Sequence, residues 1–544
     1  MHTVITKIID TSRKKKVKLL RRPQTIEDVN LVDMPTSHIA SDRNIAEPLL
    51  MNTSDRSERS TEHGQHARYM VYRERWLVLL VCVFLALSNA MQWISYSSLL
   101  PQAQTYFRNQ SAATEGTNFS VSWVTNEIFQ AMAVLTGLGG MYITDHFGIM
   151  PASLLGTCVN LIGSLIRLIS SIPWINNFLA REIILHAGSV VTAIAQSFFL
   201  ILPSKIAECW FADDQRAIAN VLSFIANPAG VALGTVVPSL LFTSDQIDPD
   251  SWKFFIYGAG MSVLALVPFG LSLFMRNSLP PSPPSASCAH EEDILPFFES
   301  IKICMKNLQF LIQMLIFGLE FSLLWSLMMF SDQVLVNQGY NLKGYPTAVC
   351  AIIGTLTSLL FGHLADKTKR FKEILRFCNV GFACSTIVFR WYVQKTYEEP
   401  CDAVVIFVLV GLMGAFSIPQ FPLGVEMGVE TTFPVLEATS SGLLVIFGQL
   451  SMFLVGFLFE AVSTSDMMYP DKKAKYGKNT LLVLDVGCAM ALFSVLLSSV
   501  FMNPRYKRIE LEMTGTTVMT DDKEISKAAI SARTDETSFG STRS

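Results

Sequence analysis

The sequence predicts an all-α membrane protein with about twelve transmembrane helices arranged as two six-helix halves. Three observations predict it. Half of the 544 residues are hydrophobic and only 16% are charged, against roughly 25% in soluble domains. The apolar residues gather in runs of about twenty, the length that crosses a hydrocarbon core. A polar, proline-rich break divides those runs into six and six. A soluble chain of this size has nowhere to put so much apolar surface, whereas a lipid bilayer accepts it.

The elements follow in order. Residues 1–75 are polar and hold the basic cluster Arg13, Lys14, Lys15, Lys16, Lys18, Arg21 and Arg22. They are expected to form a disordered cytoplasmic tail. The first apolar run begins too late for a cleaved leader and is expected to act as the first anchor. The N-terminal half, 76–276, carries spans Trp76–Leu100, Trp123–Thr144, Met150–Ile172, Ile183–Ile206, Ala217–Phe242 and Trp252–Met275. Residues 277–307, with Pro280, Pro281, Pro283 and Pro284 followed by Glu291, Glu292 and Asp293, cannot span and read as a cytoplasmic linker. The C-terminal half, 308–502, carries Leu308–Phe330, Ala348–Ala365, Ile374–Val393, Ala403–Val425, Ala438–Val462 and Leu481–Met502. Residues 503–544 are a second polar tail, expected to be disordered and cytoplasmic.

Basic residues set the orientation. Arg73, Arg75, Lys205, Arg216, Lys367, Lys369, Arg370, Lys372, Arg505, Lys507 and Arg508 flank the ends assigned to the cytoplasm. The first outer loop carries Arg108 and two glycosylation sequons, at Asn109 and Asn118. Both tails are therefore expected to be cytoplasmic; the multi-pass protein is expected in the plasma membrane, with an intracellular membrane as the alternative. One loop runs against the rule: Lys472, Lys473, Lys475 and Lys478 fall on the outer side of the last hairpin.

Composition also excludes. A net charge of −3 leaves no electrostatic footprint for nucleic acid. Ten cysteines without a CxxC pair read as small apolar fillers rather than metal or redox ligands. No Walker loop, HExxH, GxSxG or Rossmann fingerprint is present, so neither an enzyme nor a cofactor or metal is expected.

The two halves echo each other. After the second span stands Gly140-Met-Tyr-Ile-Thr-Asp145-His-Phe-Gly148. After the eighth stands Gly362-His-Leu-Ala-Asp366-Lys-Thr-Lys369-Arg370. Glycine lets helices approach, and the carboxylate can meet a helix N-terminus or a nearby base. Two six-helix halves joined by a polar linker are the layout of the major facilitator fold.

In that layout the first helix of each half lines a central cavity. The first span contributes Asn89, Gln92 and Trp93, the seventh Glu320 and Trp325. Membrane tryptophans usually belong to the interfacial belt, which suits Trp76, Trp123, Trp174 and Trp252. Trp325 lies well inside its span, and Trp93 about two-thirds along its own. Two facing indoles suit an organic cation, since a desolvated quaternary ammonium gains about 2 kcal/mol on a π face; helix packing explains them equally well. Gln196 and Gln449 are amides in apolar runs that need partners, either a substrate hydroxyl or a neighbouring helix. Glu320 is an intramembrane carboxylate and so a functional candidate, as a coupling proton site or a supporting charge. Five residues from Trp325, it stands about 140° around the helix and is expected on another face. Glu127 and Asp485 lie nearer span ends and read as wetted or structural. Arg167 and Arg390 are expected to snorkel outward.

At these residues the chain resembles the feline leukaemia virus subgroup C receptor-related family. The likeness is carried by Arg75-Trp76-Leu-Val-Leu-Leu, Asn89-Ala-Met-Gln92-Trp93-Ile, Leu202-Pro203-Ser204-Lys205-Ile206-Ala207 and Trp210-Phe211. It continues at Asn227-Pro228, Gly230, Gly234, Pro422-Leu423-Gly424-Val-Glu426 and Thr439-Ser440-Ser441-Gly442. It runs from about Arg75 to the twelfth span and leaves out the tails and linker. The resemblance implies a major facilitator fold and transport of choline or ethanolamine, with haem export as a further attributed activity. It places the family's choline cage on Trp93, Trp325, Gln196 and Gln449. Relatives carry tyrosine where Trp325 stands and a neutral residue where Glu320 stands, which alters the cavity and leaves room for a coupled proton.

The resulting expectation is alternating-access transport of choline- or ethanolamine-like cations by a monomer in the bilayer. The ammonium would sit between Trp93 and Trp325, with Gln196 and Gln449 on the hydroxyl end. Haem export is the first alternative. It would need an axial ligand, for which His186, His363, Cys288 and His290 are the candidates. A receptor or scaffold that moves nothing is the second.

Overall fold

The long apolar runs become helices, and the first, fourth and tenth runs are interrupted along their length. The computed structural model describes residues 72–109, 119–212, 215–242, 251–282, 296–394, 400–433, 435, 437–464 and 479–506. The basic N-terminal cluster, Asn118, the acidic part of the linker with Cys288 and His290, the Lys472–Lys478 loop and the end of the C-terminal tail lie outside the described residues.

The first span is broken: α1 (Glu74–Ile94) passes through a 3-10 turn (Ser97–Leu99) into α2 (Leu100–Arg108). Next come α3 (Val121–Phe147) and α4 (Ile149–Ser170). The fourth span is broken into α5 (Phe178–Ile194), the single turn α6 (Gln196–Phe199) and α7 (Leu202–Trp210). The half closes with α8 (Arg216–Leu241) and α9 (Lys253–Ser272). The linker carries a short helix, α10 (Phe297–Lys306). The second half runs α11 (Leu308–Asn337), α12 (Tyr345–Thr368), α13 (Phe371–Tyr392), a tenth span broken into α14 (Pro400–Ser417) and α15 (Gln420–Thr432), then α16 (Glu437–Thr464) and α17 (Thr480–Val500).

Among the described residues, ten helical segments are long and apolar enough to cross a membrane. The two that complete twelve are α3 and α13, whose charged residues lower their hydropathy. Local chemistry sets several starts. The Ser120, Asn177, Asn307 and Asn479 side chains each accept a backbone N–H of the first turn of α3, α5, α11 and α17, satisfying donors that a helix end leaves orphaned.

Three sequence expectations are corrected. Arg167 does not snorkel. It is 2% exposed, and its guanidinium donates to Gln92 O at 2.9 Å and Ser95 Oγ at 2.7 Å. The carbonyl end of α1 holds this cation through its unsatisfied acceptors and dipole, and the first span breaks there. Arg390 is likewise buried and makes a two-pronged pair with Asp485, at 2.6 and 3.0 Å, which ties α13 to α17. Trp123 is not a belt residue. It stacks on Phe119 at 4.2 Å, meets Phe457 edge-on, and is buried where α3 faces α16. Trp76, Trp174 and Trp252 are exposed, as a belt requires.

The halves touch along two seams. In the first, α3 faces α16: Gly137 packs on Ile446 and Gly442 on Met141. In the second, α8 faces α12: Lys343 Nζ donates to Phe242 O at 3.2 Å, and Gly344 N–H to Ser239 Oγ at 3.3 Å. Those last contacts lie at the end remote from the linker.

Candidate functional site

The two sequence-predicted indoles meet. The Trp93 and Trp325 ring centroids lie 5.5 Å apart with the planes at 81°, an edge-to-face geometry favoured by aromatic quadrupoles. Each is 7% exposed. The rings fill the space between them in this conformation, so the expected sandwich around a cation is replaced by direct contact. With the Gln130 amide turned so that its oxygen faces the indole, Trp93 Nε1 donates to it at 3.0 Å, and the amide nitrogen faces Asn126 O. That orientation satisfies both partners and locks the Trp93 ring.

Below the pair, toward the linker end, a cavity of ≈ 120 Å³ opens between the halves. Trp93, Trp325, Gln196, Gln449 and Glu320 all stand on its wall. Gln196 sits where the fourth span breaks after α5, and Gln449 projects from α16. Both amides are buried, and both Oε1 atoms lack a hydrogen-bond partner. Buried polar atoms normally find partners, so these acceptors are open to an occupant that can donate.

Glu320 shares the cavity with Trp325, against the expectation from their 140° separation. Gln313, Ile316, Phe317, Glu320, Phe321, Leu324 and Trp325 all line it. Spacings of three and four give α11 a broad inner face that takes in both residues. Sequence reasoning missed further polar wall residues, among them the amides Gln130, Gln313, Asn379 and Gln420. A signal existed for Gln420. It follows Pro419 at the break between α14 and α15, as Gln196 follows the break in the fourth span, and broken helices line transporter sites. Pro228 stands on the same wall inside α8, where it lacks the N–H that would reach Phe224 O.

Asn89 and Gln92 are placed elsewhere. Asn89 Nδ2 donates to Asn160 Oδ1 and Thr192 O, each at 3.0 Å, and Asn160 Nδ2 donates to Ser88 Oγ at 2.9 Å. Gln92 Nε2 lies 3.5 Å from Asn160 Oδ1. These amides join α1 to α4 and α5 and do not reach the cavity. Of the sequons, Asn109 is exposed in the left-handed region that closes α2, a conformation asparagine tolerates. Glu127 is buried against Gly456, one turn before Glu460 on α16. His186 bonds Glu182 at 3.3 Å, and Glu182 also holds Arg108; the histidine is not on the cavity wall.

Asp145 of the repeated loop motif serves the seam between halves. Thr439 Oγ1, in the first turn of α16, donates to its Oδ2 at 3.4 Å, and Lys205 Nζ lies 3.9 Å away. A helix N-terminus and a base thus face the same carboxylate. Gly140 of that motif allows α3 to reach the fourth span, since a Cβ there would lie 2.8 Å from Ser197 Cβ.

An interrupted twelve-helix bundle in two halves, around a central and largely apolar cavity with a few polar side chains on its wall, defines a membrane transporter of the facilitator type. The comparisons agree. Residues 78–456 match the Major Facilitator Superfamily model, and the chain belongs to that superfamily. More narrowly, it is related to the solute carrier 49 and FLVCR transporters. It is 28% identical to solute carrier family 49 member A3 of Xenopus tropicalis, covering 83% of this chain and 92% of the relative. It is 27% identical to the choline/ethanolamine transporter FLVCR2 of Homo sapiens, covering 70% of each. The fold also matches the partially occluded inward-open xylose transporter XylE of E. coli. There the TM-score is 0.59 at 14% identity, covering 80% of this chain and 99% of the other.

Proposed function

We propose that this transporter carries small organic cations of the choline and ethanolamine type by alternating access, in the plasma membrane, with both tails cytoplasmic. The observation that carries the reading is the Trp93–Trp325 pair at the head of a cavity whose amides, Gln196 and Gln449, present unpartnered oxygens. An ammonium beneath the pair meets π faces, while a hydroxyl donates to an amide oxygen. The names of relatives such as human FLVCR2 point the same way. The cavity size supports a small solute: ≈ 120 Å³ is below the ~300–1,000 Å³ of sites that enclose drug-sized ligands.

Transport then requires the remote seam to part. Lys343–Phe242 and Ser239–Gly344 break as the halves rock, the two indoles separate, and the cavity changes sides.

The test is uptake of radiolabelled choline and ethanolamine into proteoliposomes containing the full chain. Saturable uptake of either is expected, and Trp93→Ala with Trp325→Ala should abolish it while the variant still inserts. Undiminished uptake by the double variant would remove the indoles from the mechanism.

A further inference from the structure

Part of the cavity wall is built for something a quaternary ammonium cannot supply. Glu320 is 3% exposed; the Ser494 hydroxyl of α17 neighbours its carboxyl, yet Oε1 and that Oγ both lack a well-formed hydrogen bond. Its Oε2 receives Gln420 Nε2 at 3.4 Å, a long contact from an amide that also donates to Phe416 O at 3.0 Å. On the same wall, Gln313 Oε1 and both polar atoms of Asn379 are buried and unpartnered. The Gln313 nitrogen is already used, donating to Gly424 O at 2.6 Å. Among the described residues, Glu320 is the one ionisable side chain on the wall, and no lysine, arginine or histidine stands there.

Three of these four unpartnered wall atoms are oxygens, one of a carboxyl and two of amides, and with the carboxyl ionised all three can only accept. A buried charge needs a counter-charge, and buried acceptors need donors. A tetraalkylammonium brings charge without a donor. A neutral polyol brings donors without charge. A protonated primary or secondary amine brings both, and Asn379 Nδ2 remains for the hydroxyl oxygen of an amino alcohol.

We propose that Glu320, with Asn379 and Gln313 on the same wall, forms a second station for cations that carry N–H groups, about 7.5 Å along α11 from Trp325 toward the linker end. The inference rests on the small-cation reading above and deepens it. The aromatic pair accepts any ammonium, because a π face does not distinguish methyl from hydrogen by donor count. The Glu320 station discriminates, because only an N–H makes a charge-assisted bond to the carboxylate.

The experiment measures binding to the purified full-length transporter, by displacement of radiolabelled ethanolamine and of radiolabelled choline. Methylammonium and tetramethylammonium are the competitors, and wild type is compared with Glu320→Gln and Glu320→Asp. A charge-assisted hydrogen bond corresponds to about tenfold or more in affinity. Glu320→Gln is therefore expected to weaken ethanolamine and methylammonium about tenfold and to leave choline and tetramethylammonium within about threefold. Glu320→Asp, which keeps the charge, should retain most of the preference and shows that the site still folds. Equal loss for all four ligands, as for a carboxyl that only carries a proton, or no loss for any, overturns the inference while the small-cation reading stands. A wild type that binds none of the four overturns that reading and the inference with it.

Discussion

Asp485→Leu should destabilise the protein more than Arg390→Leu, and the double variant should recover most of the loss. The Arg390 and Asp485 side chains are 7% and 33% exposed, respectively. Removing Asp485 leaves a guanidinium enclosed between α13 and α17 without its counter-charge, a loss of about 3–5 kcal/mol for a broken buried pair. Removing Arg390 leaves a carboxylate that still reaches water or headgroups, so its cost falls nearer 1–2 kcal/mol, about that of a lost charge-assisted hydrogen bond. Replacing both with leucine removes charge and counter-charge together, which is often close to neutral. Thermal unfolding in lipid nanodiscs should therefore rank wild type and the double variant above Arg390→Leu, with Asp485→Leu lowest. Equal midpoints for the two single variants, or a double variant as unstable as their sum, would refute the picture of a buried pair with unequal exposure.

Two further outcomes follow, one from a close approach within the first half and one from the seam between halves. Gly140→Val should lower folded yield and weaken substrate binding, since the new side chain would press on Ser197 beside Gln196, an overpacking cost of about 1–3 kcal/mol. Gly139→Ala, at a position with open space, is the control for fluorescence-detected size exclusion, and equal yields would count against the close approach. Thr439→Val removes the donor to Asp145, worth about 1 kcal/mol. Ser223, on α8, also lines the cavity; the variant should speed maleimide labelling of a Ser223→Cys reporter about fivefold from the linker side, and an unchanged rate would dissociate this contact from gating.

Much of the architecture was legible because lipid imposes a simple rule: each crossing needs about twenty apolar residues with its backbone bonds made internally. That rule counts spans and divides the halves, and it places Trp93 and Trp325 on the first helix of each. It does not say which polar residues in a span face a cavity. Asn89 and Gln196 are both amides in apolar runs, yet one joins α1 to its neighbours and the other lines the site.

What the sequence by itself determined is the class: a twelve-span bundle in two halves, with an indole from each at its centre and a carboxylate inside the seventh span. What the tertiary structure decided is partnership. Arg167 and Arg390 read from the chain as cations near span ends, and packing turned one onto the carbonyl end of α1 and the other onto Asp485. The two indoles became a contacting pair, and Glu320 a cavity residue beside Gln420, Asn379 and Gln313. The physical reason is that burial depends on local hydropathy, which the chain displays along its length. Hydrogen bonds and ion pairs depend on distances of about 3 Å between residues remote in sequence, and folding alone sets those.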